Sequence, residues 1–417
     1  MIELQDYFIL NPWWENKKFK TGISRPLYLQ KLEKELDRKQ IELIVGARRV
    51  GKTTIMKQLI EVLLKDKIDK NSIFYVSCDF AKFIGVGILE HLANFRQLFS
   101  YKRDKKLYLF FDEVQESPKW QIELKSLYDS ENIKIICSGS TSALLESHGG
   151  KLTGRQISTI INPLTFKEFL EFNNFKPKIS ESYLILKELE KYLRIGGFPE
   201  NVLMPSEEYL SALLDDIFLR DIVRLYPVKN LTLIKDLFKF LASSVGSRTS
   251  YHKIANLLGI SLETVRDYID HLETAFLLKK MNKWTSSYAD RTYAGKKIYL
   301  ADTGLKTLLT GKGDLGAKAE NLVFEKLYLQ KKRLGYFAVS EKEVDFVLGE
   351  VENPSIYEVK YTEEIDKINK SLISIKLFLS QYPKTEDITI ITKNIRKTIL
   401  LEKRKIKLIP LWQFLLQ

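Results

Sequence analysis

Cysteine and histidine are scarce in this 417-residue chain. The two cysteines, Cys78 and Cys137, each close an apolar strand-like run, and no CxxC pair occurs. That argues against a disulfide scaffold and leaves no zinc-ligand spacing. The four histidines, His91, His148, His252 and His271, are scattered and read as structural or surface groups. No stretch is long and apolar enough to cross a bilayer. The amino terminus, Met1-Ile-Glu-Leu-Gln-Asp, has neither the basic region nor the apolar run of a secretory leader. These absences together favour a reducing, cytoplasmic compartment and no membrane partner.

Hydrophobic residue types are plentiful, at 45%, so the chain can build real cores. Its length suggests roughly two to four domains. The formal net charge is +13, with lysine the main contributor. Such a charge suits a polyanionic partner, because cationic side chains displace counterions condensed on nucleic acid. Lys/Glu-rich surfaces also arise as thermostability networks. Runs such as Lys403-Arg-Lys-Ile-Lys407 can equally be solvated faces.

The strongest motif lies near the amino terminus. An apolar run at 40–45 leads into Gly46-Ala47-Arg48-Arg49-Val50-Gly51-Lys52-Thr53-Thr54, and a helical pattern begins at Ile55. This is GxxxxGK[ST] in the context of strand, loop and helix. Gly46 and Gly51 let backbone N–H groups turn toward phosphate oxygens. The helix terminus that follows adds free donors and a favourable dipole. Lys52 is expected to reach the β- and γ-phosphates of ATP, and the Thr53 hydroxyl to ligate Mg2+.

A second apolar run, Leu107-Tyr-Leu-Phe-Phe111, ends in Asp112-Glu113. Adjacent carboxylates at the end of a buried strand suit metal and water: Asp112 to hold Mg2+ through water, Glu113 to polarise the attacking water. A third run, Ile133-Lys-Ile-Ile-Cys137, ends in Ser138-Gly-Ser140-Thr141. Ser138 or Ser140 there is expected at the ligand edge of an open α/β sheet. Alternatively Ser140 or Thr141 caps a helix beginning near Ala143. Strands are expected at about 41–45, 73–77, 107–111, 133–137 and 156–161, separated by helices as in a doubly wound sheet. Arg155 precedes the fifth strand. It could neutralise a neighbour's γ-phosphate, act within its own subunit, or form only a salt bridge.

Residues 163–228 are mainly helical in pattern, interrupted by a chain reversal at Gly196-Gly197-Phe198-Pro199. Residues 250–272 have helix-turn-helix spacing: Ile254, Ala255 and Leu258 on one helix, a stop at Gly259, Ser261 as cap, then Val265, Tyr268, Ile269 and Leu272. A wing is expected from Phe276. In a DNA-binding version, Lys253, Thr264 and Arg266 would contact bases or phosphates. Asp267 and Asp270 oppose a strongly basic recognition face, and such modules also dock proteins.

The carboxy-terminal part shows a helix over 316–328 and strand-like runs at 335–339, 343–347 and 356–360. A helix near 366–380 and a run at 388–391 follow. Asp345 and Glu358 fall on neighbouring strands, Glu358 and Lys360 share a strand face, and Glu320 can approach from the helix. Gathered carboxylates repel unless a cation holds them, which suggests a second Mg2+ or Mn2+ and phosphodiester chemistry with Lys360 positioning water. The alternative is an alternating strand with an ordinary Glu–Lys pair.

These segments resemble a family of archaeal and bacterial AAA-type ATPases that join an AAA core, a winged helix and a PD-(D/E)xK nuclease-like domain. The resemblance is carried by Gly46–Thr54, Leu109-Phe-Phe-Asp-Glu-Val-Gln115, Ser138-Gly-Ser140, Leu152-Thr-Gly-Arg155 and Tyr192-Leu-Arg-Ile-Gly-Gly-Phe-Pro-Glu200. Ile298-Tyr-Leu-Ala-Asp-Thr-Gly304, Glu343-Val-Asp-Phe-Val347 and Glu358-Val-Lys360 extend it over nearly the whole chain. It implies an ATPase core at 1–162, a helical lid at 163–228, a winged helix-turn-helix at 229–285 and a nuclease-like domain at 286–417. It also implies phosphate binding by Lys52 and Thr53, Mg2+ and water at Asp112 and Glu113, a sensor at Ser140, and a finger or sensor at Arg155. Glu320, Asp345, Glu358 and Lys360 match the nuclease-like acids and lysine. Relatives often assemble into rings or smaller oligomers. Two functions compete: an ATP-driven machine on double-stranded DNA, with or without cleavage, and an ATP-gated switch that binds protein partners.

Overall fold

A computed structural model describes residues 3–101, 105–140, 152–385 and 387–417. The chain divides into two compact units, residues 1–162 and 163–417. Thr141 and the helix expected near Ala143 lie outside the described residues, as does His148.

In the first unit five strands form one parallel sheet: β1 (Ile41–Val45), β2 (Ile73–Ser77), β3 (Leu107–Asp112), β4 (Ile133–Gly139) and β5 (Gln156–Ile160). Their spatial order is β2-β3-β4-β1-β5. Helices Lys52–Lys65, Ile88–Phe99 and Trp120–Ser130 lie among the connections. Strands β1, β3 and β4 are buried throughout, which is why they read as near-continuous apolar runs. Because β4 inserts between β1 and β3, its carboxyl end separates the glycine loop after β1 from Asp112 at the end of β3. The polar residues Ser138 and Ser140 thus stand between phosphate loop and acids.

An amino-terminal segment guards the outer edge of β2. Asn11 exchanges two hydrogen bonds with the Tyr75 backbone, accepting from its N–H at 2.8 Å and donating to its carbonyl at 2.9 Å. The indoles of Trp13 and Trp14 both donate to the Ile73 carbonyl, at 3.3 and 3.0 Å. Side chains here replace a sixth strand, so the edge is closed and β2 is held in place.

The second unit opens with helices Phe166–Phe172, Ser182–Ile195, Pro199–Leu203 and Glu207–Asp216. The last continues as a wider π-helical turn, Ile217–Val223. The chain reversal at Gly196-Gly197 is fixed by contact: a Cβ on Gly196 would meet Asp302 Oδ1 at 2.1 Å, and one on Gly197 the Leu164 carbonyl at 2.3 Å. Helix Leu231–Ser243 precedes the pair Tyr251–Leu258 and Leu262–Thr274. Gly259 turns the chain between this pair with φ 64°, and Ser261 accepts the Thr264 N–H at 3.0 Å.

Three antiparallel strands flank the pair, β6 (Arg248–Thr249) before it and β7 (Leu278–Met281) and β8 (Lys296–Leu300) after it, in the order β6-β8-β7. A boundary at residue 285 would separate β7 from β8, its hydrogen-bonded partner. Helix Leu315–Tyr328 leads to a six-stranded mixed sheet: β9 (Leu334–Val339), β10 (Lys342–Leu348), β11 (Ser355–Lys360), β12 (Ile388–Thr392), β13 (Lys397–Leu401) and β14 (Arg404–Pro410). The order is β13-β14-β12-β11-β10-β9, with helix Ile365–Gln381 packed on it. Trp284, Val347, Ile375, Phe378, Ile390 and Leu408 share its core. The basic run at 403–407 is largely strand β14: Lys405 and Lys407 face solvent while Ile406 and Leu408 are buried.

Candidate functional site

The glycine loop leaves β1 at Gly46, whose backbone runs so close to Ile161 that a Cβ would lie 2.2 Å from its carbonyl oxygen. Gly51 holds φ 98° just before helix Lys52–Lys65, a conformation that disfavours side chains. Between them Arg49 also adopts positive φ, 64°, and the Arg25 guanidinium donates to the Val50 carbonyl at 2.9 Å. Lys52 is buried, and its Nζ donates to the carbonyls of Gly46 and Ala47 at 3.0 and 3.1 Å. The ammonium therefore lies across the loop that its own backbone forms.

Four polar side chains converge next to it. Asp112 Oδ2 accepts the Thr53 hydroxyl at 2.6 Å and the Tyr75 phenol at 2.8 Å. Asp112 Oδ1 accepts the Ser138 hydroxyl, and the same Ser138 oxygen accepts the Glu113 N–H at 3.2 Å. Burial first, and the Asp112 charge second, push the Tyr75 phenol well above its ordinary range, so it stays a donor. The side-chain partners that Asp112 shows here are neutral hydroxyls, which orient the carboxylate and bring no countercharge to it. Glu113 takes φ 49°, a strained value for a non-glycine residue, and accepts from Gln115. Ser140 is fully buried just beyond β4. The constellation offers a cation a hydroxyl and a carboxylate oxygen, and a water a second carboxylate.

Arg155 lies elsewhere. It precedes β5, and Gln156 pairs with Ile41 at the start of β1, whereas the glycine loop follows Val45 at its end. A strand length of roughly 16 Å therefore separates Arg155 from the loop. Its guanidinium pairs with Asp129 at 2.8 and 3.1 Å. The chain does not bring Arg155 to its own Lys52.

In the second unit Glu320, Asp345, Glu358 and Lys360 do come together, around a residue the sequence reading passed over. Lys297 of β8 has only 1% of its side chain exposed, and its Nζ lies 3.1 Å from Glu320, 2.6 Å from Glu343 and 3.4 Å from Asp345. Tyr299, two residues on, donates to Glu320 at 2.7 Å. Glu358 accepts the Asp345 N–H at 3.1 Å and Lys360 Nζ at 2.6 Å, and Asp345 accepts the Val359 N–H at 2.9 Å. Burial opposes the charge of Lys297, but Glu320, Asp345 and Glu343 outweigh it and hold the ammonium protonated. Burial, then the charge of Asp345, raises both Glu320 and Glu358. For Asp345 burial is outweighed by Lys297 and Lys360, and its carboxyl falls below the usual range. The expected divalent cation at these acids meets an obstacle, since an ammonium already stands among three of the carboxylates. Among the described residues no group of three or more His, Cys, Asp or Glu side chains is disposed to hold a metal ion.

The helix-turn-helix residues do not form one basic face. The Thr264 hydroxyl is bonded to its cap Ser261 at 2.8 Å. Arg266 is exposed beside exposed Glu263, Asp267 and Asp270 on the same helix, while exposed Lys253 belongs to the preceding one. Tyr75, Arg25 and Lys297 escaped the sequence reading. Tyr75 was traceable: in register with Phe110, two positions before the Ser77–Asp112 pair, it shares a sheet face with Asp112.

No helix among the described residues is long and apolar enough to cross a membrane. Residues 38–170 match the AAA domain family AAA_14, and residues 186–316 match a domain of unknown function, DUF8612. The uncharacterized protein MJ1544 of Methanocaldococcus jannaschii is 33% identical, over 81% of this chain and 78% of that protein. An uncharacterized protein of Haemophilus influenzae is 32% identical, over 79% of this chain and 84% of its own length. A crystal structure of a DNA polymerase III gamma subunit-related protein from Thermotoga maritima aligns with 59% of the chain and 99% of its own, at 12% identity. Its TM-score of 0.27 is too slight to support an argument. The chain carries an AAA-type domain over residues 38–170, and it belongs to the family of archaeal and bacterial proteins that includes these two relatives.

Proposed function

We propose that the first unit binds ATP with Mg2+ and hydrolyses it, and that the nucleotide gates partner binding by the second unit. One observation carries this reading: Thr53 and Asp112 touch at 2.6 Å beside the Lys52 loop, with Glu113 next in the chain. Hydroxyl and carboxylate oxygens suit a hard cation, and the close-approach glycines suit phosphate, so the residues fit Mg2+ and ATP. When bound, Mg2+ neutralises phosphate charge. Lys52 exchanges the carbonyls of Gly46 and Ala47 for phosphate oxygens, alongside N–H groups of residues 46–54. Thr53 and Asp112 would hold the metal. Glu113 orients and polarises the attacking water. Ser138 ties the Asp112 carboxylate to the Glu113 backbone, so the two acids keep their relative position. Ser140, beside them, is suited to sense the terminal phosphate. Arg155 would serve a neighbouring copy, which makes self-association part of the proposal.

The order β6-β8-β7 beside the helix pair supports a winged helix-turn-helix, and the mixed sheet bearing Asp345 and Glu358 supports a nuclease-like fold. Glu263, Asp267 and Asp270 are exposed with Arg266 on the second helix of the pair, and Asp270 pairs with Lys280. Such a face repels phosphate, so a protein partner is the better reading there. The net charge of +13 keeps double-stranded DNA as the second reading.

The test is nucleotide binding and turnover with Mg2+, with and without duplex DNA. Wild type should turn over ATP, and Lys52→Ala should lose tight nucleotide binding. Wild-type affinity in that variant would overturn the nucleotide site. Turnover indifferent to DNA supports the protein-partner switch, whereas stimulation by DNA moves the second reading ahead.

A further inference from the structure

The carboxylates of the second unit raise a question that is independent of the nucleotide reading: which cation do they gather around? Divalent ions take oxygen ligands at about 2.0–2.6 Å from a shared centre, so the carboxylates must converge on open space. Here Lys297 Nζ stands at that convergence, 2.6–3.4 Å from Glu320, Glu343 and Asp345. The remaining valences are engaged as well. Asp345 Oδ2 accepts a backbone N–H from β11, Glu358 accepts a backbone N–H with Oε2 and Lys360 with Oε1, and Glu343 Oε2 pairs with Arg248 at 3.0 Å. Four carboxylates thus face three cationic side chains, Lys297, Lys360 and Arg248.

We infer that Lys297 is the resident cation of this cluster, its ammonium standing where a divalent metal would be bound, and that it fastens the three-stranded sheet to the six-stranded one. The attachment is specific in geometry. Lys297 lies on β8, Glu343 and Asp345 on β10, and Glu320 on helix Leu315–Tyr328, so one side chain joins three elements. Tyr299 on the same face of β8 reaches Glu320 too, giving the strand two anchors in the cluster. Arg248 of β6 adds a third link from the same sheet to Glu343. An ammonium of this kind satisfies Glu320, Glu343 and Asp345 without a dissociable ion, and Lys360 does the same for Glu358. The acids then serve to hold the two sheets together, and phosphodiester cleavage is not among their roles.

Mn2+ binding to the full-length, nucleotide-free protein, followed by the loss of its free electron paramagnetic resonance signal, tests the assignment. Wild type should bind no Mn2+ that Asp345→Asn or Glu320→Gln removes. Lys297→Ala should gain one Mn2+ per chain, and the double variant Lys297→Ala/Asp345→Asn should lose it again. A wild-type Mn2+ that disappears in either acid variant would overturn the inference. So would a folded Lys297→Ala, verified by circular dichroism, that gains none. Should Lys297→Ala fail to fold, wild type against the two acid variants decides alone.

Discussion

Asp112 and Asp345 are both buried aspartates on β-strands, yet their donors are opposite in kind. Asp112 is surrounded by hydroxyls from Thr53, Tyr75 and Ser138. Asp345 is surrounded by a fully buried ammonium, a backbone N–H and the charge of Lys360. Hydroxyl donors fix the direction of a carboxylate without cancelling its charge, so the site still attracts a cation from solution. An ammonium cancels the charge, so the cluster is complete as it stands. The presence of clustered acids therefore does not by itself mark a metal site. The identity of the donors around them decides.

The comparison breaks most readily at the catalytic carboxylate. If the hydroxyl-lined site is the reactive one, Glu113→Gln should still bind ATP while turnover falls about 10²–10⁴-fold, the range of a lost general base. Steady-state turnover beside nucleotide affinity measures this, and undiminished turnover would remove Glu113 from the mechanism. Asp345→Asn should leave the same turnover unchanged.

Stability sharpens the contrast. Removing one partner of a buried ion pair strands the others, at a cost of about 3–5 kcal/mol. Lys297→Met should therefore lower the urea midpoint strongly, and adding Asp345→Asn should restore part of the loss. Removing charge from Asp112 leaves hydroxyls that can re-pair, so Asp112→Asn should cost only about 1 kcal/mol. Equal losses in the two variants would mean that the donors do not differ as argued.

Asp302 supplies an intermediate case, since its donors are backbone N–H groups of Gly197, Gly304 and Leu305. Burial dominates there and pushes the carboxyl up to about 6, against a usual 3.8. The native chain thus holds a proton that the unfolded chain has released, and stability falls as pH rises from about 4 to 6. The difference is on the order of 2–3 kcal/mol. Comparing urea midpoints at pH 4 and 6.5, wild type should show this loss relative to Asp302→Asn, which has no proton to release. Parallel pH profiles would contradict it.

Much of the first unit was legible because a strand buried on both faces writes itself as an apolar run, and β1 to β4 are such strands. The phosphate loop and the Asp112-Glu113 pair sit at strand ends, where a run of apolar residues stops abruptly. For Arg155 the sequence left three roles open, and the strand direction narrows them: a residue before a parallel strand stands at the edge opposite the loops that follow one. Strand β14 was missed because alternating lysines on a half-buried strand resemble a solvated run. Lys297 was hidden for a related reason. A lysine on a strand reads as exposed, and only the tertiary approach of Glu320, Glu343 and Asp345 makes its burial tolerable.

Tyr75 is the finest point on which the two sites can be separated. Its phenol shares Asp112 Oδ2 with Thr53, and its backbone is pinned by Asn11, so the hydroxyl reaches the carboxylate from a fixed strand. Tyr75→Phe keeps the ring in its buried slot and deletes one donor. The carboxylate then rotates more freely, and the lost orientation is worth about 1 kcal/mol, or roughly five- to tenfold in an equilibrium constant. The Mg2+ concentration that gives half-maximal ATP affinity should rise by that factor, with affinity in excess Mg2+ nearly unchanged. Packing alone predicts a different pattern, a lower melting temperature with the Mg2+ midpoint unmoved. That pattern would reduce Tyr75 to a core residue and leave Thr53 and Ser138 to orient Asp112.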